Sequence, residues 1–258
     1  MLYFMADDGI HGTELWKSDG TANGTELVKD INPGSGSAGA QNFGVSNGKI
    51  FFNVYNGTIA SELWISDGTT NGTGPLKDFD PANTWLPFLF TDVNGTMFFC
   101  ATDGVNGYEI WKSDGTTNGT QMVKNIDPNT PNSISDAPES LTNVNGTLFF
   151  VTTDGINGYE LWKSDGTEVG TVMVKDINPN GDAGIVYMTN LNGTVYFRAN
   201  DGVNGDELWK SDGTLGGTEM VKDINSSGGS SVSNFTVLGG KVYFSATDGT
   251  GTKLWVSD

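Results

Sequence analysis

The sequence predicts an all-β fold, a β-propeller of four-stranded antiparallel blades, and three observations predict it. A tryptophan recurs at Trp16, Trp64, Trp111, Trp162, Trp209 and Trp255, 46 to 51 residues apart. Each stands in nearly the same phrase, Glu14-Leu15-Trp16-Lys17-Ser18-Asp19-Gly20-Thr21 in the first copy and the identical eight residues at Glu160 to Thr167 and Glu207 to Thr214. Within each period, short β-forming runs alternate with Gly-rich turns, and no stretch carries a helical period. A repeat of this length is one supersecondary unit copied and stacked.

The unit reads as four strands. Strand A ends at an Asn-Gly pair, Asn47-Gly48, Asn94-Gly95, Asn145-Gly146 and Asn192-Gly193, with Gly239-Gly240 in the last copy. Asn-Gly between apolar runs is the strongest short hairpin signal, because both residues tolerate the positive φ of a type I′ turn. A large apolar side chain precedes each pair by four residues: Phe43, Phe90, Leu141, Met188, Phe235. Strand B is aromatic-rich, as in Met97-Phe98-Phe99 or Val195-Tyr196-Phe197. Consecutive apolar residues suit a strand covered on both faces. Strand C carries Glu-Leu-Trp, and strand D carries Leu27-Val28-Lys29-Asp30-Ile31 and its copies. The repeat opens at a strand B and stops after a strand C, so the first and last blades are expected to be incomplete. Six blades are favoured over five, in a single domain spanning 1–258.

Composition limits the partners. Thirteen basic against 31 acidic residues give a net charge of −18. Such a surface disfavours nucleic acid and anionic membranes. No apolar run reaches transmembrane length, and the first residues lack a signal-peptide pattern. The single cysteine, Cys100, is expected to fill space. The Asn-X-Thr triplets coincide with repeat turns, which accounts for them as turn formers.

The repeated phrase, followed by Gly-Thr and Val-Lys-Asp-Ile-Asn-Pro, resembles the ELWxxDGT repeat family of bacterial proteins across essentially the whole chain. Departures are modest: Ile110 for Leu, Lys253 for Glu, Ile65 and Val256 for Lys, and Pro75 before a weakened strand D. The resemblance implies large secreted or cell-surface proteins, adhesin-like, without an established enzymatic activity. It therefore implies an extracellular location. The blade grammar is also similar to WD-repeat and TolB-type propellers.

Three candidate sites follow from the residues. The B–C turns repeat an oxygen-bearing set: Asp103, Asn106 and Glu109; Asp154, Asn157 and Glu160; Asp201, Asn204 and Glu207; with Asp8, His11 and Glu14 in the first copy. Such sets could close on Ca²⁺, or the Asp and Asn could simply build Asx turns while Glu pairs with the neighbouring strand. Trp85 belongs to no repeat and sits in a D–A connection, on the rim where propellers bind ligands. It could stack on a sugar or a partner, or cover its own loop. The Pro128 to Pro138 connection is the other irregular loop. Catalysis finds little footing, since His11 is the only histidine and carboxylate pairs recur in every copy, whereas an active site should break the symmetry. The expected function is a non-enzymatic module binding protein or glycan. A ligand-free scaffold and, further off, a glycan hydrolase are the alternatives. Unpaired edges at the end blades are expected to favour weak self-association.

Overall fold

A computed structural model of the chain describes residues 1–54, 62–79, 86–129 and 134–258. Among these are 22 strands in six antiparallel sheets. The first sheet is β1 (Leu2–Asp7), β2 (Thr13–Ser18) and β3 (Glu26–Lys29); the second is β4 (Gln41–Ser46), β5 (Lys49–Val54), β6 (Glu62–Ser66) and β7 (Gly74–Asp78). The third is β8 (Phe88–Val93), β9 (Thr96–Thr102), β10 (Tyr108–Ser113) and the two-residue β11 (Gln121–Met122). The fourth is β12 (Glu139–Val144), β13 (Thr147–Thr152), β14 (Glu160–Ser164) and β15 (Val172–Lys175). The fifth is β16 (Val186–Leu191), β17 (Thr194–Asn200), β18 (Asp206–Ser211) and β19 (Glu219–Lys222); the sixth is β20 (Ser233–Leu238), β21 (Lys241–Thr247) and β22 (Thr252–Ser257). These are the blades of a β-propeller. The first sheet lacks strand A and the last lacks strand D, so the outer two have three strands each.

The chain divides into two compact units, Met1–Met122 and Val123–Asp258, each with three sheets. In both, the core lies between consecutive sheets. Leu15 of the first joins Ile50, Phe52 and Trp64 of the second. In the other unit, Phe149 and Leu161 of the fourth sheet join Val195, Phe197 and Trp209 of the fifth. Phe52, Phe99, Phe150 and Phe197 of the B strands are fully buried. Strand B therefore has neighbours on both faces, which is why it shows no polar alternation. Trp64, Trp111, Trp162 and Trp209 are buried, whereas Trp16 and Trp255 of the three-stranded sheets are half-buried.

The A–B hairpins have the backbone that the Asn-Gly pairs imply, with φ of 48–53° at Asn47, Asn94, Asn145 and Asn192 and positive φ at each following glycine. Every strand A also carries a bulge that sequence patterning did not announce. Its second residue, Asn42, Leu89, Ser140, Tyr187 or Asn234, is left-handed, and the register shifts there.

The Ser-Asp-Gly-Thr turn is a closed hydroxyl and carboxylate cage. In the fourth sheet, Asp165 Oδ1 accepts from Thr167 N and Thr167 Oγ1, while Thr167 Oγ1 accepts from Gly170 N. Ser164 and Thr171 share a hydrogen bond of 2.7 Å beneath it. Glycine keeps the cage closed, since a Cβ on Gly170 would stand 2.1 Å from the Asp165 carboxylate and displace it. The same clash recurs at Gly24, Gly72, Gly119 and Gly217.

Candidate functional site

The B–C turns are built on their aspartates. Asp154 Oδ1 accepts from Ile156 N and Asn157 N, and Oδ2 accepts from Asn157 Nδ2 at 2.7 Å. Asp103 with Asn106 and Asp201 with Asn204 repeat the arrangement. Burial opposes ionisation at these three aspartates, but the backbone N–H groups outweigh it and hold each carboxyl below its ordinary range. In the first copy, backbone and ring hydrogen bonds from His11 pull Asp8 down to about 2.

The glutamate of each set turns elsewhere. Glu160 is buried and accepts from Ile177 N at 2.8 Å and Asn178 N at 3.2 Å, just past strand D. Glu14 does the same with Ile31 and Asn32. Glu207 takes Ile224 N and Ser230 Oγ. Glu109 is buried as well. Glu14, Glu160 and Glu207 thus hold the D–A loop through its backbone, and the ion pairs found among the described residues do not join these three to a strand D lysine. Burial pushes Glu160 up to about 7 against the pull of its two N–H donors, and raises Glu14 in the same direction. Among the described residues, no group of three or more His, Cys, Asp or Glu gathers in a way that could hold a metal ion. Trp85 lies outside the described residues.

Four residues that the repeat pattern concealed line an open cleft of about 330 Å³ in the second unit: Glu139, Tyr159, Asp182 and Arg198. Val151, Ile185 and Val186 form its apolar wall. The elements that bring them together are the start of β12, the end of the B–C turn before β14, the D–A loop before β16, and mid-β17. The B–C turn and D–A loop are locked: Tyr159 N donates to Asp182 Oδ1 at 2.9 Å, and Ala183 N donates to Tyr159 O at 3.0 Å. Their approach requires glycine at 158, where a Cβ would fall 2.7 Å from Gly181 O. Arg198 stands opposite Val186 in the sheet.

Arg198 is the only arginine of the chain. The other B strands have Met5, Asn53, Cys100, Val151 and Ser245 at this position. Its guanidinium lies 5.6 Å from the centre of the Tyr187 ring, and its Nε is 3.7 Å from Asp206 Oδ2. Nε is buried with no hydrogen-bond partner. Tyr159 is pushed up to about 12, first by burial, then by the charges of Asp136, Glu139 and Asp182 and a hydrogen bond with Asp136. Tyr159 is therefore a neutral donor throughout the physiological range. Asp136 comes from a 3-10 turn, Ile134–Asp136, in the irregular Pro128 to Pro138 connection. The two departures from the repeat, the long connection and the lone arginine, thus meet at one cleft. The third sheet shows what the regular alternative looks like. There Phe88 occupies the position of Glu139 and packs on Tyr108 with ring centres 5.9 Å apart.

No protein-family pattern matches the chain, and no curated protein matches it in sequence. Solved structures do match in shape. Prolyl oligopeptidase B from Galerina marginata, bound to a 35mer substrate, matches with a TM-score of 0.56 at 13% identity over 98% of this chain and 40% of that one. A puromycin hydrolase matches with a TM-score of 0.53 at 15% identity over 99% of this chain and 41% of that one. The β-propeller domain of the trilobed protease from Pyrococcus furiosus, which has an open velcro topology, matches with a TM-score of 0.51 at 11% identity over 100% of this chain and 83% of that one. The chain spans about two fifths of the first two proteins. At these identities the likeness is one of fold, and the fold it shows is the β-propeller.

Proposed function

We propose that the chain is a non-enzymatic binding module, of the adhesion type, in a secreted or cell-surface bacterial protein, and that it takes its protein or glycan ligand in the cleft at Arg198. The observation that carries this reading is the break in symmetry. A side chain copied into every blade solves a packing problem, whereas Glu139, Tyr159, Asp182 and Arg198 occur together once and line open space. Ligand pockets of this size join an apolar wall to a few convergent polar groups. The non-enzymatic part of the reading is supported by the usual nucleophiles. The Cys100 thiol is buried and pushed well up, so it holds little thiolate, and His11 is tied to Asp8. The cell-surface part rests on the resemblance to the ELWxxDGT repeat family; among the described residues no helix is long and apolar enough to cross a membrane.

The experiment is a paired screen of glycan and peptide arrays with the wild-type chain and Arg198→Ala. Reproducible ligands lost in the variant support the module. Ligands that bind both proteins equally place recognition outside the cleft. No ligand on either array leaves the scaffold reading, which the regular lysine and tryptophan contacts between sheets favour. Turnover of any arrayed glycan would return the hydrolase.

A further inference from the structure

We infer that the cleft at Arg198 recognises a free peptide amino terminus whose first residue has an apolar side chain. This rests on the reading of the cleft as the ligand site and names the ligand's chemistry.

The argument begins with charge. Glu139 and Asp182 line the cleft against the single cation Arg198, with Asp136 behind Tyr159 and Asp206 behind the arginine. The balance is negative, in a chain whose net charge is −18. An anionic ligand would gain one arginine, already paired with Asp206, and face the two carboxylates of the lining. A cationic group is favoured, and both carboxylates have capacity for one. Glu139 is exposed, and Asp182 uses Oδ1 for Tyr159 N, leaving Oδ2 to accept from a ligand.

The arginine then requires an acceptor on the same ligand. It lines the cleft, has more donors than its contact with Asp206 uses, and cannot lose its proton. A cation alone would leave it unanswered, whereas an ammonium next to a carbonyl oxygen satisfies both walls. An α-amino terminus carries that pair, with the first peptide carbonyl two bonds from the ammonium-bearing carbon's nitrogen.

The apolar wall separates a peptide from an amino sugar. A sugar ring packs best on a flat aromatic face, but the nearby face of Tyr187 already carries the guanidinium of Arg198. Beside the Tyr159 ring, the wall is branched and aliphatic: the half-buried Val186 with the buried Val151 and Ile185. That surface fits a leucine-like side chain. A cleft of about 330 Å³ has room for one such residue and the start of the next.

The test is calorimetric titration of the whole chain with the tripeptide Leu-Gly-Gly, its N-acetyl form, Gly-Gly-Gly and glucosamine. The expected result is binding of Leu-Gly-Gly, weakened about tenfold or more by acetylation, and weaker binding of Gly-Gly-Gly. Glu139→Gln should lower the affinity for Leu-Gly-Gly by about tenfold without altering the near-ultraviolet circular dichroism. Arg198→Met should lower it too and serves if Glu139→Gln misfolds. Equal binding of the acetylated and free peptides, preference for glucosamine, or no binding of Leu-Gly-Gly would overturn the inference. An array ligand that needs Arg198 but lacks a free amine would overturn it while leaving the proposed binding module intact.

Discussion

Lys175 of one copy sits on Trp209 of the next. Its Nζ is 5.7 Å from the ring centre and donates to Thr218 O at 2.7 Å. Lys29 on Trp64 with Thr73 O, Lys77 on Trp111 with Thr120 O, and Lys124 on Trp162 with Thr171 O repeat the contact. Lys222 on Trp255 has the ring contact, but its copy of strand C is the last strand.

Removing the charge while keeping most of the stem isolates the contact between Lys175 and Trp209. Lys175→Met should cost about 0.5–2 kcal/mol, the range of a partly desolvated cation on an indole. Trp209→Ala should cost about 3–5 kcal/mol as a buried aromatic. Urea unfolding of both singles and the double variant measures the coupling, and a coupling near zero would mean that the contact contributes nothing beyond packing.

The cage of the Ser-Asp-Gly-Thr turn gives a sterically defined prediction. Gly217→Ala drives a Cβ to within 2.0 Å of Asp212 Oδ1 and should destabilise by about 1–3 kcal/mol. Asp212→Ala makes room but forfeits the bonds to Thr214, at about 1 kcal/mol. The double variant should therefore lose less than the sum of the two, as read from denaturation midpoints.

Stability should depend on pH through Glu160. Its carboxyl rises from 4.5 to about 7 in the folded state, so the folded chain holds a proton that the unfolded chain has released. This contribution is fully present below about pH 4.5 and is lost as pH rises through about 7. Glu160→Gln, which mimics the protonated form, should flatten the fall in unfolding free energy between these values. Glu14 shifts in the same direction and keeps part of the slope in the variant. Parallel profiles for wild type and variant would mean that Glu160 ionises at its ordinary pKa.

Calcium should stabilise the chain no more than magnesium at matched ionic strength. Asp103, Asp154 and Asp201 already accept three hydrogen bonds each within their turns, and Glu160 and Glu207 are turned to the D–A backbone. Screening of the negative charge raises the melting temperature with either cation. A rise specific to Ca²⁺ and abolished by Asp154→Ala would support the metal reading of these turns.

The blade architecture was legible because it is written as a period. Asn-Gly fixes the A–B turn through its backbone, and Phe-Phe beside Leu-Trp declares strands covered on both faces. Two local features escaped the same reading. The bulge in strand A leaves no common residue, since Asn42, Leu89, Ser140, Tyr187 and Asn234 share only their φ. The buried glutamate of strand C looks like any surface acid until its partners, backbone N–H groups 17 residues away, are seen. The cleft was hidden for the opposite reason: periodic patterning rewards what recurs. Arg198 could have been found as the sole arginine in a register otherwise filled by uncharged residues. Glu139 in place of Phe88 carried the same signal, a carboxylate where another copy puts an aromatic ring.

The lysine contact also has a direction. Copies two to five each give a cation forward and receive one from behind, so a cut through any two corresponding points among them leaves matching halves. Unequal crossing-over that adds or drops one whole period would regenerate the same joint, and the array can change length without inventing a new one. The Arg198 cleft does not share that freedom. Its carboxylate wall belongs to one period and its arginine to the next, so a recombination event between them would conserve every joint and still erase the pocket.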